Sequence, residues 1–303
     1  MRSFKTYLRF GLLCLATSFG HIAKAGETVS LYDFGADEMG YLALPKKSPE
    51  ASILFVPDSY GARGVVKQRC ELMAKVGCVA LAVDLYNGRV ASDPMIAKRM
   101  QSRLDEETAV KAVEAALRLL WESPRYRSER VIVGVWGQNV TIVMKAIRRL
   151  QGLKPTAVTW MEPTSFRNLD ILLGYSFPMQ IVLREEEDTR EFDLFLSQFD
   201  ATRGVQSEVY RFEQTRGFLL EPKSSAEAVK AWSAIIGFWK EVYERLDSEQ
   251  EASETPAAAI ATPASIPATP VPVESLEFHS PDPISETPVN STPGRKYSHP
   301  KLR

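Results

Sequence analysis

Histidine is the conspicuous shortage. The 303 residues hold three, at positions 21, 279 and 299, so positions 26–247 contain none. Imidazole is the side chain that accepts and returns protons near neutral pH, and Ser-His-Asp or Cys-His-Asp chemistry requires one. Arginine stays protonated and cannot take over that role. Cysteine is sparse as well: of three, only Cys70 and Cys78 lie beyond the first 25 residues. They show no metal-ligand spacing and have no histidine beside them, so neither a metal nor a cofactor is expected. Cys70 falls on an expected helix and Cys78 at the start of the next strand, an arrangement that usually keeps two cysteines too far apart for a disulfide. Two buried free thiols are the expectation. Neither sign of charge is in excess, with 37 basic and 38 acidic residues, which disfavours nucleic acid as a partner. No apolar run reaches the roughly 20 residues that a bilayer span requires.

The two ends differ from the middle. Residues 1–25 carry Arg2, Lys5 and Arg9, then the apolar segment from Phe10 to Phe19, then Ala23-Lys-Ala25. A positive start, a short apolar run and small residues at a cleavage site make a secretory signal. The expectation is export to the periplasm or the extracellular space after cleavage at Ala25. From Ser248 to Arg303 the chain is rich in Pro, Ala, Thr and Ser, as in Ala261-Thr-Pro-Ala-Ser-Ile-Pro-Ala-Thr-Pro-Val-Pro272. Such a stretch has too few large apolar groups to offset its ordering entropy and reads as a disordered tail. Residues 26–247 remain as one domain of ordinary size, large enough for a substantial core.

Within that domain, apolar strands alternate with helical patterns. A pair of short strands, Thr28–Tyr32 and Tyr41–Pro45, is followed by a strand over Ala51–Pro57, a helix over Val65–Val76 and a strand over Cys78–Asp84. Asp93 and Pro94 cap and open a helix, and Asp105–Glu122 is a long amphipathic helix. Further strands are expected over Ala157–Met161, Phe177–Leu183 and Ser207–Phe212, with helices over Thr189–Thr202 and Ser225–Leu246. The pattern predicts an α/β fold with a doubly wound, mainly parallel sheet. Ligands of such sheets bind beyond the carboxyl ends of the strands.

The most informative stretch is Arg130–Ala146. It starts with the β-branched run Val131–Val135, turns sharply at Trp136–Asn139 and continues as an apolar-periodic helix. That is the strand–turn–helix shape of a nucleophile elbow. Where G-x-S-x-G would stand, the chain reads Val135-Trp-Gly-Gln-Asn139. Gly137 holds the central place and has no side chain with which to attack a carbonyl.

Taken together, these residues resemble the dienelactone hydrolase family of α/β-hydrolases. The likeness runs through Ile53-Leu-Phe-Val-Pro-Asp-Ser-Tyr-Gly-Ala62, through Val79-Ala-Leu-Ala-Val-Asp-Leu-Tyr-Asn-Gly-Arg89, through Ala91–Pro94 and Leu104–Ala109, and through the elbow. It covers about 40–246. The resemblance implies an α/β-hydrolase fold acting on ester or lactone bonds. It also implies triad positions at Gly137 for the nucleophile, at Glu187 or Asp188 for the acid, and at Arg216, in Thr215-Arg-Gly-Phe218, for the histidine.

Asp58, Tyr60, Arg89, Trp136, Gln138 and Glu162, with Asp188 and Arg216, are expected to ring the ligand site. An arginine pair facing aromatic groups suits a carboxylate or another anion, while the same charges also suit pairing with one another and with loop amides. Two functions remain open. One is an exported family member that binds a small ligand or a protein partner without catalysis. The other is an ester or lactone hydrolase of unorthodox mechanism, with Glu162 or Asp188 activating water.

Overall fold

The structure is a computed structural model that describes residues 26–49, 51–124, 126, 128–163, 169–172, 175–184, 193, 197, 207–213, 218–220 and 225–254. The strands are β1 (Glu27–Ser30), β2 (Met39–Ala43), β3 (Ala51–Val56), β4 (Cys78–Val83), β5 (Val131–Trp136), β6 (Ala157–Met161), β7 (Met179–Arg184) and β8 (Ser207–Phe212). They form one eight-stranded sheet in the order β1-β2-β4-β3-β5-β6-β7-β8. β1 and β2 run antiparallel to their neighbours, and from β4 to β8 every pairing is parallel. The expected mainly parallel α/β sheet is therefore the fold that forms. Helices α1 (Gly64–Lys75), α2 (Pro94–Ser102), α3 (Glu106–Glu122), α4 (Val140–Arg149) and α5 (Ala226–Glu254) connect or follow the strands.

Both faces of the sheet are covered, which explains why β3, β4 and β5 read as unbroken apolar runs. Side chains alternate across a strand, so Leu54, Val56, Leu81, Val83, Val133 and Val135 pack with α3 and α4 on one face. Ile53, Phe55, Ala80, Ala82 and Ile132 pack with α1 and α5 on the other. Cys70 and Cys78 are buried in this second layer and form no disulfide, and burial pushes the Cys70 thiol far above its ordinary pKa.

Local chemistry places the helix starts. Asp93 accepts the Ile96 N–H at 2.9 Å with Pro94 in the first turn of α2, and Asp105 accepts the Thr108 N–H at 2.8 Å at the start of α3. These are N-cap bonds that satisfy otherwise orphaned amides.

Several boundaries differ from expectation. β1 stops at Ser30, short of the expected end at Tyr32, because residues 32–34 form a 3₁₀ turn closed by Gly35, at φ +96°. β7 begins at Met179, because Pro178 has no N–H to give to a ladder. α5 passes the expected end at Leu246 and continues to Glu254, because Ser248–Glu254 is mostly Glu, Gln and Ala, which tolerate a helix, and Pro256 disfavours helix at the residue before it. The described residues fall in one compact unit. Of the helix expected over Thr189–Thr202 only residues 193 and 197 are described, both helical, and the signal segment and the Pro-rich tail from 255 lie outside the described residues.

Candidate functional site

β5 leads into a 3₁₀ turn over Gly137–Asn139 and then into α4, so the elbow forms at its expected position. Gly137 is buried at its apex with φ +63°. That left-handed backbone is open to glycine without a side-chain clash, and elbows of this kind hold their central residue in a strained turn. The apex is fastened from below: the Trp160 indole N–H donates to the Gly137 carbonyl at 2.6 Å. Asn139, 1% exposed, donates its amide to the Pro57 carbonyl at 2.6 Å. Its own carbonyl oxygen is buried and finds no donor among the described residues. Gln138 is exposed, and its backbone carbonyl accepts the Thr141 hydroxyl.

Trp136 needs a correction. It was expected among the side chains ringing the ligand site, yet it is 1% exposed and packs 5.5 Å from Phe55 and 6.3 Å from Trp232, ring centre to ring centre. β5 continues through Trp136, so alternation turns the indole into the α1–α5 layer with Ile132. Its N–H is buried without an acceptor among the described residues.

The loops after β3 and β4 meet. Asp58 accepts the Tyr60 N–H at 3.0 Å, and the Arg63 guanidinium lies 4.8 Å from the Tyr60 ring centre and 3.9 Å from the Asp58 carboxylate. Gly61, at φ +80°, approaches the second loop so closely that a Cβ there would lie 2.4 Å from the Arg89 carbonyl. The Ala91 N–H donates to the Tyr60 carbonyl at 3.1 Å. Asp84 shapes this second loop by accepting the N–H groups of Tyr86 and Gly88. The Arg89 side chain is exposed and makes no ion pair among the described residues. Under the loop, Tyr86 donates its hydroxyl to Gln101 at 2.8 Å. Burial lifts that hydroxyl to a pKa of about 12, an effect opposed by the Asn139 amide.

On the far side, Glu162 ends β6 with φ +46° and is 5% exposed. Its carboxylate accepts the Leu219 N–H at 3.0 Å. The Leu219 carbonyl in turn accepts from Arg69 at 3.3 Å and from the Trp232 indole at 3.2 Å. Arg69 projects from α1, is 5% exposed and stands 4.9 Å from the Trp232 ring centre. Burial lowers its pKa from the ordinary arginine value. The two backbone polar groups of Leu219 are thus held between a carboxylate and a guanidinium.

Glu187, Asp188 and Arg216 lie outside the described residues. Asp58, Tyr60, Arg89, Gln138 and Gly137 therefore come together at the carboxyl ends of β3, β4 and β5, Glu162 is engaged with Leu219, and Trp136 is in the core. Arg63, Arg69 and Asn139 were missed. Arg69 had one signal, a lone arginine among Val65, Val66, Cys70 and Met73 on the apolar stripe of α1.

The described residues contain no cluster of His, Cys, Asp or Glu able to hold a metal ion. No described helix is long and apolar enough to cross a membrane. The arrangement can offer loop guanidinium groups and the Tyr60 ring to a ligand at the end of the sheet, with Gly137 beneath.

The family model described as the dienelactone hydrolase family matches residues 39–243. No curated protein matches the chain. Among solved structures, the chain is similar to a dienelactone hydrolase-like promiscuous phosphotriesterase from metagenomic libraries, at 16% identity and a TM-score of 0.57, over 72% of this chain and 98% of that one. It is also similar to esterase 2 of Thermogutta terrifontis, at 15% identity and a TM-score of 0.54, over 75% of this chain and 98% of that one. A dienelactone hydrolase from Anabaena variabilis matches at 13% identity and a TM-score of 0.53, over 71% of this chain and 95% of that one. At such identities these structures speak for the fold alone. With the family model spanning most of the sheet and the elbow in place, the chain belongs to the dienelactone hydrolase family.

Proposed function

We propose that this chain is an exported member of the family that binds a small ligand or a protein partner at the carboxyl end of the sheet and does not run the family's triad chemistry. Gly137 at the apex of the elbow is the observation that carries the reading. Its backbone keeps the turn on which a nucleophile would stand, and it has no nucleophile to present. The absence of histidine from 26–254 supports the same reading from composition, with Arg216 at the family's histidine position. Loss of triad members costs on the order of a millionfold in turnover. Arg63, Arg89 and Tyr60 would then serve recognition, the guanidinium groups suiting an anionic group on the ligand. The amino-terminal segment supports export, and the Pro-rich tail suits a spacer or an interaction segment.

A second reading rests on Glu162. A buried carboxylate on a left-handed backbone is the kind of strained acid found at functional sites, and it would serve an ester or lactone hydrolase that activates water directly.

Hydrolysis of short esters and enol lactones by the purified chain, beside a Gly137→Cys/Arg216→His variant, tests both. No turnover by the wild-type chain, with some gained by the variant, is the expected result. Wild-type turnover that Glu162→Gln abolishes would replace the first reading with the second.

A further inference from the structure

Gly26 directly follows Ala23-Lys-Ala25, where the expected leader ends. It leads into β1, which lies at one edge of the sheet and pairs with β2 alone. An aromatic ring is packed over this junction. A Cβ at Gly26 would lie 2.4 Å from the Tyr41 ring and 2.6 Å from its oxygen, so a side chain there has no room while the ring stays in place. The ring is held in place from α1. The Tyr41 hydroxyl donates to the Glu71 carboxylate at 2.6 Å, and the Lys67 ammonium stands 5.3 Å from the ring centre.

Burial, together with the bond to Glu71, pushes the Tyr41 hydroxyl up to about 12, an effect opposed by the Gly26 amide. The hydroxyl therefore stays neutral at physiological pH. It gives its proton to Glu71 and keeps its lone pairs for a donor on the Gly26 side. Among the described residues Glu71 makes no ion pair. In the uncut chain the donor at Gly26 is a single peptide N–H. Hydrolysis by a leader-removing protease adds water across the Ala25–Gly26 bond, leaving a carboxylate on Ala25 and an ammonium on Gly26. That ammonium carries three protons and a full positive charge, beside a hydroxyl already bonded to a carboxylate. Charge-assisted bonds of this kind are stronger than those of a neutral amide.

We propose that the Ala25–Gly26 bond is the processing point of this chain, and that Tyr41 and Glu71 form the site that holds the ammonium group created there. The inference rests on the export reading above. It does not depend on whether the elbow is catalytic, because Gly26 lies toward the amino end of β4, at the opposite end of the sheet from the elbow. Besides Tyr41 and Glu71, the titratable groups around the site are Lys67 and the buried Cys70 thiol.

The full chain, expressed with its own leader in a bacterial host, tests this. Intact-mass measurement should place the amino terminus of the recovered protein at Gly26. Competitive acylation of its α-amine between about pH 6 and 10 should give a pKa above the ordinary α-amino range of about 7.7–8.0. Glu71→Gln should return the amine to that range, with roughly tenfold faster acylation at neutral pH for each unit of pKa lost. Tyr41→Phe, which keeps the ring, should move it in the same direction, and circular dichroism confirms that both variants fold. A chain that is never cleaved overturns this inference and the export reading together. Cleavage at a different bond overturns the inference and leaves export standing. A Gly26 amine that titrates in the ordinary range, or that is indifferent to Glu71→Gln, does the same.

Discussion

At the scale of single residues, the backbone of Gly137 and three indole N–H groups are the most exposed to test. Any side chain at Gly137 must adopt φ +63°, so Gly137→Ala should destabilise the fold by about 1–3 kcal/mol, measured by urea unfolding. The Trp232 and Trp160 indoles donate to the Leu219 and Gly137 carbonyls, whereas the Trp136 indole donates to no described acceptor. Trp160→Phe should therefore cost about 1–3 kcal/mol by leaving a buried carbonyl unsatisfied, and Trp136→Phe, which keeps the ring shape, should leave the unfolding midpoint unchanged or raise it. Glu38 is 7% exposed, and burial first, with Asp37 and Asp84 adding to it and Lys111 opposing, raises its carboxyl pKa. A carboxyl with a folded-state pKa above its unfolded value stabilises the fold below the unfolded value, and that contribution is lost as pH rises through the folded value. Glu38→Gln should accordingly stabilise the protein at pH 7 and have little effect at pH 4, read from the two unfolding midpoints.

Among the elements, the helix starts and the peptide clamp behind the elbow bear the most. Asp93 and Asp105 cap α2 and α3 through single bonds, and Asp105→Ala should lower the urea-unfolding midpoint by leaving the Thr108 amide without its cap. The Asp93 cap was legible in the sequence, because a cap is a local device, and the expected start of α3 at Asp105 fell on the residue that caps it. The clamp was not legible. Glu162, Leu219 and Arg69 come from the end of β6, a 3₁₀ turn and α1, three segments that only the sheet order brings together. Replacing Arg69 with Met should be strongly destabilising while Glu162 stays charged. The Arg69→Met/Glu162→Gln pair should lose less than the sum of its single variants, since removing one partner of a buried charged set leaves the other uncompensated. A double-mutant cycle by chemical denaturation checks this.

For the whole molecule, the helical end of the compact unit predicts where the chain can be cut. Asp247 pairs with Arg130, which also lies over the Tyr243 ring, so the last turns of α5 hold the amino end of β5. A chain ending at Thr255 should melt with the full chain, while one ending at Leu246 should melt lower. A composition boundary near Ser248 marks where large apolar residues stop. It does not mark where a helix stops, because Glu, Gln and Ala extend a helix that packing has already nucleated.

The sequence by itself determined the class of the fold, the elbow with glycine at its apex and the cap of α2, because each rests on local periodicity, on cap chemistry or on the identity of one residue. Even the missing histidine is a fact of composition. The tertiary structure alone decided which side chains reach the site. One residue of strand continuation turned Trp136 into the core, since successive side chains on a strand point to opposite faces. The contact of Gly61 with the Arg89 carbonyl and the burial of Arg69 against Leu219 depend on segments far apart in the chain. No local pattern encodes such distances, and they arise only when the parallel sheet sets its strands side by side.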